Sequence, residues 1–295
     1  MPFTGECNIT PKKTAGAYPG GKRLVQIYEI QDPRQAERLI ALGVDHIGSV
    51  ILDQERWRDP VIRETVRLTA GTASRSSLIP LFSDPEAVAR ALDYYRPDIL
   101  HCCENITPGP NAADIPGEAT EKLYRLQEFV KDRFPAVQIM RSLPVPAACA
   151  AAAGGGDAGG ERGPAAGHQT ALTALIRIFA PVSDFFMTDT LLMGPGGAGG
   201  DAAQPVAGFV GITGKTCDWG LASWLVRTSP RPVILAGGLG PDNVAAAIAR
   251  VRPAGVDSCT RTNMVDAQGC PIRFLKDFSK VQSFVAAARR AGAAS

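Results

Sequence analysis

Three runs in the last third of this sequence have the composition of an anion site. Gly211-Ile212-Thr213-Gly214-Lys215-Thr216-Cys217-Asp218-Trp219 is a small-residue loop that opens a predicted helix, where backbone N–H groups without intrahelical partners can receive an anion. Its glycine spacing is not that of a P-loop. Leu235 to Val244 sets Gly237 and Gly238 at the end of a predicted strand, where the missing Cβ lets backbone amides approach a ligand closely. Gly255-Val256-Asp257-Ser258-Cys259-Thr260 forms the third run, on a further predicted strand. Glycines after strands also serve tight turns, so either glycine run alone is ambiguous; both in this order are far more specific.

Such loops need a scaffold that brings the ends of successive strands together. Short apolar runs rich in β-branched residues alternate with amphipathic runs along the chain, the pattern of repeated β-α units. The strands are predicted near residues 24–28, 46–51, 77–82, 98–102, 136–142, 183–188, 232–236 and 255–259. Helix starts are marked by Asp32-Pro33 before 34–42, Ser83-Asp84-Pro85-Glu86 before 87–95 and Pro241-Asp242 before 243–250. Between 119 and 134, Leu123, Leu126, Val130 and Phe134 recur at helical spacing and form one stripe for packing. Eight units point to an α/β fold, a single-domain (β/α)8 TIM barrel over residues 22–292. A doubly wound sheet is the rival, disfavoured because no Gly-x-Gly-x-x-Gly opens the first unit. In a barrel the loops after strands seven and eight form the customary phosphate site.

Three stretches fall outside the repeat. Residues 1–21 read as a flexible N-terminal extension. Ala147 to Gly167 and Gly194 to Gln204 are rich in Gly and Ala, and both follow predicted strands, so they belong to the face where barrel enzymes work. A mobile lid and a tolerated low-complexity insertion are both open for them.

Composition narrows the partners. With 45% hydrophobic residues, 20% charged residues and a net charge of +2, nothing calls for nucleic acid, and no run of apolar residues is long enough for a bilayer. The expected partner is a small phosphorylated substrate; oligomeric state is not readable. The seven cysteines, at 7, 102, 103, 149, 217, 259 and 270, contain no CxxC pair, and His46, His101 and His168 are the only histidines. Neither a disulfide framework nor a metal centre is expected, and a reducing cytoplasm fits best.

The chain resembles the phosphoribosylanthranilate isomerase family, tryptophan-pathway barrels that perform an Amadori rearrangement on a phosphorylated ribosylamine. The matching segments are Ser183 to Asp189, Gly211 to Trp219, Leu235 to Val244 and Gly255 to Thr260, followed by Lys276-Asp277 on the last helix. The resemblance implies that Asp189, ending strand six, is the general acid for the ribose ring oxygen. Partial burial beside a glycine-rich loop would raise its pKa and hold a transferable proton. It also implies a phosphate held by Thr213, Gly214, Gly237 and Gly238 and by groups near Thr260 and Arg261. Arg261 stands where the family has glycine and would either clamp the phosphate or crowd it. No cofactor is implied, since a Schiff base within the substrate acidifies the C2 proton.

The other end departs from the pattern. Where the family opens with Lys-Ile-Cys-Gly and uses that cysteine as base, this chain has Gln26-Ile27-Tyr28-Glu29. Tyrosine, with a pKa of about 10, is a poor base. Glu29 would serve only if the strand ends between it and Tyr28, because alternation otherwise aims the two apart. Glu6-Cys7-Asn8-Ile9-Thr10 echoes the missing motif in letters, but no apolar strand precedes it and the reading is coincidence. Gln-Leu-His-Gly of strand four is His101-Cys102-Cys103-Glu104 here, with His101 and Cys103 on one face. The arginine that meets the anthranilate carboxylate is expected at Arg56 or Arg58, and Arg141 falls where the family often has lysine, although a solvated arginine is the ordinary reading for all three. The candidate catalytic set is therefore Asp189 with Glu29, Tyr28 or His101 as substitute base. The alternatives to an isomerase are a diverged sugar-phosphate barrel with another substrate or reaction, and a non-catalytic binder of phosphometabolites.

Overall fold

A computed structural model describes residues 23–106, 117–148, 164–193 and 204–293. Eight parallel strands close in sequence order into a barrel: β1 (Leu24–Ile27), β2 (His46–Ile51), β3 (Arg75–Pro80), β4 (Ile99–Cys102), β5 (Gln138–Pro146), β6 (Phe185–Leu191), β7 (Val233–Leu235) and β8 (Gly255–Ser258). The barrel is shut by β8 against β1, with Leu24 opposite Gly255 and Ile27 opposite Ser258. This closure excludes the doubly wound sheet, which stays open. The helices α1 (Pro33–Ala41), α2 (Pro60–Arg67), α3 (Pro85–Tyr95), α4 (Glu118–Arg133), α5 (Pro164–Phe179), α6 (Trp219–Thr228), α7 (Val244–Val251) and α8 (Phe278–Ala293) follow the strands in turn. Among the described residues no helix is long and apolar enough to cross a membrane.

Local chemistry explains several of these boundaries. Asp32, Asp59 and Asp84 precede a proline in each case and accept backbone N–H bonds at the starts of α1, α2 and α3. Each such cap contributes about 1 kcal/mol, while the proline gives up no helical bond at that position. At α7 the expected start differs in detail. Asn243 caps by position only: its Oδ1 accepts from the Gly240 amide at 2.9 Å and its Nδ2 donates to the Gly238 carbonyl at 2.9 Å, so the side chain braces the glycine loop instead of the helix.

Alternation along the strands sorts side chains into two cores. Leu24, Tyr28, Ile99, Cys103, Met140, Phe185, Met187 and Ile234 pack inside the barrel. The intervening residues, such as Val25, Ile27, Leu143 and Phe186, pack outward against the helices. Polar groups on the inward parity are thereby delivered to the interior of the barrel, where the site lies.

Four details depart from the sequence reading. β5 and β6 run beyond their expected ends and pair continuously from Met140 with Phe185 to Pro146 with Leu191. Between β8 and α8 stands an unexpected antiparallel pair, β9 (Asn263–Val265) and β10 (Pro271–Lys276). Lys276 consequently ends β10 instead of lying on the last helix, while Asp277 accepts from the Ser279 and Lys280 amides at the start of α8. α5 begins at Pro164, inside the stretch read as a loop. Residues 1–21, with the Glu6 to Thr10 echo, and most of the two glycine-rich stretches lie outside the described residues.

Candidate active site

The ends of β6, β7 and β8 surround a cavity of about 370 Å³ lined by Thr213, Gly214, Gly237, Gly238, Thr260 and Arg261, with Asp189 and Asp257 also at its wall. The sequence-predicted phosphate residues are thus brought together. Two glycines there are demanded by space. A Cβ at Gly211, whose φ is 100°, would lie 2.6 Å from Asp189 Oδ1, and one at Gly238, φ 57°, would lie 2.6 Å from the Thr216 amide nitrogen. Backbone therefore comes close on both sides of the cavity, an arrangement in which amides can approach an anion. Arg261 neither fills nor blocks it: its guanidinium is 2.8 Å from Asp242 Oδ2 and donates to the Gly238 carbonyl at 3.2 Å. It braces the loop from the rim.

A second cavity, of about 550 Å³, opens on the β1 to β4 side and shares Asp189, Asp257, Cys259, Gly211 and Ile212 with the first. Its wall carries Tyr28, Glu29, His101 and Cys103. Val206, Phe209 and Val210 cover it from the segment after β6. That segment crosses to β4, where the Asn105 amide donates to the Gly208 carbonyl at 2.7 Å and the Val210 amide to the Cys103 carbonyl at 3.0 Å.

Asp189 stands between the two cavities. Burial pushes its carboxyl up to about 8; the hydrogen bond from Ser142 opposes that rise and the charge of Asp257 adds to it. At neutral pH it therefore carries a proton. Ser142 Oγ donates to Asp189 Oδ2 and is 2.7 Å from His101 Nε2; His101 Nδ1 is 2.7 Å from the Tyr28 hydroxyl, which is 2.5 Å from Ser77 Oγ. An unbroken chain of hydrogen bonds thus crosses the barrel from β3 to β6. Burial first, then the Arg141 charge, lowers His101 to about 3. The neutral imidazole has one donor and one acceptor nitrogen. When Asp189 is ionised, every donation in the chain runs toward it; Nε2 carries the hydrogen and Nδ1 accepts from Tyr28.

This hydrogen-bond chain sets the surroundings of each candidate base. His101 has both ring nitrogens engaged and a depressed pKa, so it is a poor proton acceptor. Burial raises Tyr28 well above its ordinary value, which disfavours phenolate. Glu29 is different. β1 ends at Ile27, and Glu29 adopts a φ of 63°, so the alternation that would aim it away from Tyr28 is broken and both line the cavity. Its Oε1 takes Nε of Arg273 at 2.7 Å and a second guanidinium nitrogen at 2.5 Å. Its Oε2 is buried without a geometric hydrogen-bond partner among the described residues, and the Cys259 thiol lies against the Glu29 carboxylate.

Two expected substrate contacts are not brought to the site. Arg141 lies on the outward parity of β5, between inward Met140 and Ser142. It is fully buried beneath the helices, 2.6 Å from Glu104 Oε2, 2.7 Å from Gln127 Oε1 and 4.9 Å above the Phe179 ring. Extending β5 past its expected end turned a supposed strand-end residue into a mid-strand one. Arg56 is solvent-exposed, paired with Asp53 at 2.9 Å in the turn before α2, and Arg58 stacks 4.8 Å from the Trp57 ring.

Asp257 and Ser142 join the site without having been singled out. Burial raises Asp257 to about 7, and Gln26 Nε2 donates to its Oδ1 at 3.2 Å. The signal was present in both cases as strand parity: Asp257 sits on β8 in register with inward Gln26, and Ser142 follows inward Met140 by two.

The comparisons with known proteins bear on the family and the fold. The family model described as N-(5'-phosphoribosyl)anthranilate (PRA) isomerase matches residues 204–287. An N-(5'-phosphoribosyl)anthranilate isomerase of Haloferax volcanii is 42% identical over 118 residues, which cover 40% of this chain and 44% of that protein. The chain therefore spans less than half the length of that relative. The enzyme of Synechococcus elongatus is 28% identical over 239 residues, 79% of this chain and 84% of that protein. The solved N-(5'-phosphoribosyl)anthranilate isomerase of Pyrococcus furiosus superposes with a TM-score of 0.57 at 19% identity, covering 91% of this chain and 99% of that one. A phosphoribosyl anthranilate isomerase in complex with reduced 1-(o-carboxyphenylamino)-1-deoxyribulose 5-phosphate gives 0.56 at 17% identity, covering 91% and 99%.

Proposed function

We propose that this chain is a member of the phosphoribosylanthranilate isomerase family and that it catalyses an Amadori-type aldose–ketose isomerisation of a phosphorylated ribosylamine, with phosphoribosylanthranilate, the tryptophan-pathway intermediate, as the first substrate to test. The observation that carries the proposal is Asp189: a buried carboxyl, its pKa pushed up to about 8 by burial, placed where the glycine-lined cavity meets the second one.

With the phosphate in the Gly237-Gly238 cradle, the ribose reaches back over Asp189. Asp189 gives its proton to the ring oxygen as the C1–O bond breaks, and the substrate nitrogen becomes a protonated Schiff base. The C2 proton is then acidic. Glu29 Oε2 takes it, the C2 electrons form the enolamine, and that intermediate ketonises by gaining a proton at C1 and losing one from the C2 hydroxyl. What supports Glu29 is its inward turn and an oxygen that Arg273 leaves uncovered; Arg273, on Oε1, holds the carboxylate in place. Asp257 lines both cavities beside the reacting sugar.

The test is steady-state turnover of phosphoribosylanthranilate by the purified chain. Asp189→Asn and Glu29→Gln are each expected to lower kcat about 10²- to 10⁴-fold, the range of a positioned acid or base. Lack of turnover with any phosphoribosylamine defeats the reading. Protection of the fold by millimolar phosphate would then leave the non-catalytic binder in its place.

A further inference from the structure

We propose that the β9–β10 hairpin is a working part of the active site, and that Arg273 on it is a positioning residue for the base, fixing the Glu29 carboxylate so that one oxygen is left to the cavity. The inference rests on the isomerase reading in which Glu29 takes the C2 proton, and it assigns to that reading an element which the repeat of β-α units does not contain.

Packing does not account for the hairpin. Of the six residues of β10 only Lys276 is buried, and Met264, Val265, Ile272 and Leu275 are exposed apolar side chains. Its backbone is nonetheless tied to the barrel at several points. Gln35, on α1, accepts from the Lys276 amide at 3.0 Å and donates to the Phe274 carbonyl at 2.9 Å. Lys276 Nζ donates to the Cys259 carbonyl at 2.9 Å and to Asn263 Oδ1 at 2.5 Å, which joins the hairpin to the residue after β8. These ties fix the main chain beside Arg273, whose guanidinium lies 4.7 Å from the Phe274 ring as it reaches Glu29.

The ion pair that results has a form suited to holding a base. Arginine–carboxylate pairs commonly engage both oxygens in parallel. Here both guanidinium contacts, Nε at 2.7 Å and a terminal nitrogen at 2.5 Å, fall on Oε1, and Oε2 is left uncovered by Arg273. The Cys259 thiol beside the carboxylate is kept protonated by burial and adds no charge there. Both ends of the pair carry strain: Glu29 has a φ of 63°, and Phe274, next to Arg273, a φ of 64°, in the left-handed region that residues with a Cβ seldom enter. The Glu29 side chain is 2% exposed, and desolvating such a charge offsets what its pairing contributes to stability. Strain on both sides of a buried charge therefore points to geometry kept for chemistry. Arg273 is itself 41% exposed and lines neither cavity, so it acts through Glu29.

The experiment is steady-state isomerisation of phosphoribosylanthranilate by the full chain and its variants, with a crystal structure of Arg273→Ala. Arg273→Ala is expected to lower kcat about 10- to 10²-fold, the effect of a displaced catalytic group, with KM and the unfolding midpoint unchanged. Arg273→Lys, which keeps a donor for Oε1, should recover part of the rate, and so should guanidinium ion added to Arg273→Ala at low millimolar concentration. In the Glu29→Gln background Arg273→Ala should cost nothing further, because the two residues act as one unit. A full further loss there, or lower stability and higher KM at the parental kcat, overturns the positioning role. A slow Glu29→Gln beside an Arg273→Ala at the parental rate overturns it too, and leaves the base assignment standing. Glu29→Gln at the parental rate overturns both. The Arg273→Ala structure decides independently of turnover: the Glu29 carboxylate should leave the cavity wall and its φ relax to negative values, and a carboxylate still in place at positive φ overturns the proposal.

Discussion

Replacing Ser142 by alanine should move the alkaline limb of the activity profile without touching a group that contacts substrate carbon. Ser142 Oγ donates to Asp189 Oδ2, and this bond lowers the Asp189 pKa against burial. Donation to the carboxylate stabilises the ionised form, so its loss raises the pKa further. A hydrogen bond to a charged group contributes about 1.5–3 kcal/mol, and one pKa unit corresponds to about 1.4 kcal/mol. The expected displacement is therefore about one to two units. If Asp189 acts as the acid, kcat/KM of the parent falls as pH rises through about 8. For Ser142→Ala the fall should begin near pH 9–10, by the same conversion at about 1.4 kcal/mol per unit. Ser142→Thr keeps the hydroxyl and should retain the parental limb. The assay is kcat/KM for the isomerisation from pH 6 to 10. A limb that stays in place, or moves to lower pH, would refute the hydrogen-bond account of Asp189.

The remaining expectations concern stability as well as turnover. Arg141→Met leaves Glu104 without its partner beneath the helices and should cost about 3–5 kcal/mol in denaturant unfolding, with KM unchanged in the folded fraction; a raised KM at full stability would return Arg141 to the substrate. Gly211→Ala sets a Cβ 2.6 Å from Asp189 Oδ1 at a φ of 100°, so both stability and kcat should fall, and a neutral outcome would contradict the close approach. Because Asp189 keeps its proton in the folded state up to about 8 but loses it near about 4 when unfolded, the native state binds the extra proton between these values. Stability should fall as pH rises through that window. Asp189→Asn should remove much of the slope, leaving the part that Asp257, raised to about 7, contributes with the same sign. Parallel curves for parent and variant would mean that Asp189 is not held protonated.

The sequence exposed the barrel because each unit repeats the same local instructions: a short β-branched run, an Asp-Pro start, a helical stripe. It exposed the glycine-lined cavity because backbone that must approach a ligand requires glycine, and glycine is visible in a sequence. What it hid was set by distant parts of the chain. Arg141 reads as a strand-end residue because the apolar run breaks near it, whereas β5 continues through Leu143-Pro144-Val145-Pro146 and leaves Arg141 in mid-strand on the outward parity. The β9–β10 hairpin has an exposed, weakly alternating pattern, eeeieB on β10, and so carries little periodic signal. Its consequence, Arg273 on Glu29, links positions 244 residues apart. No local reading reaches that far.

The two cavities therefore differ in how readily substitution can change them. The glycine-lined side is formed largely by backbone at Thr213, Gly214, Gly237 and Gly238, where a Cβ at Gly238 collides with neighbouring main chain. Most side-chain changes there either do nothing or break the loop. The opposite side is formed by side chains on β1 to β4, such as Tyr28, Val50, Ile79 and Cys103, whose size and polarity can alter while the strands keep their register. Tyr28 illustrates the coupling this permits. Its ring occupies the space over Gly48, where a Cβ would sit 2.0 Å from the Tyr28 Cδ1, and its hydroxyl completes the hydrogen-bond chain to Asp189. An aromatic side chain in the position of the family's cysteine thus removes a thiol base and, through His101 and Ser142, joins the acid's hydrogen-bond network. Tyr28→Phe should therefore leave the phosphate affinity intact while shifting the Asp189 limb, and Tyr28→Cys in the unaltered pocket should not restore a fast base, because burial that already raises the neighbouring Cys103 would hold the new thiol protonated too.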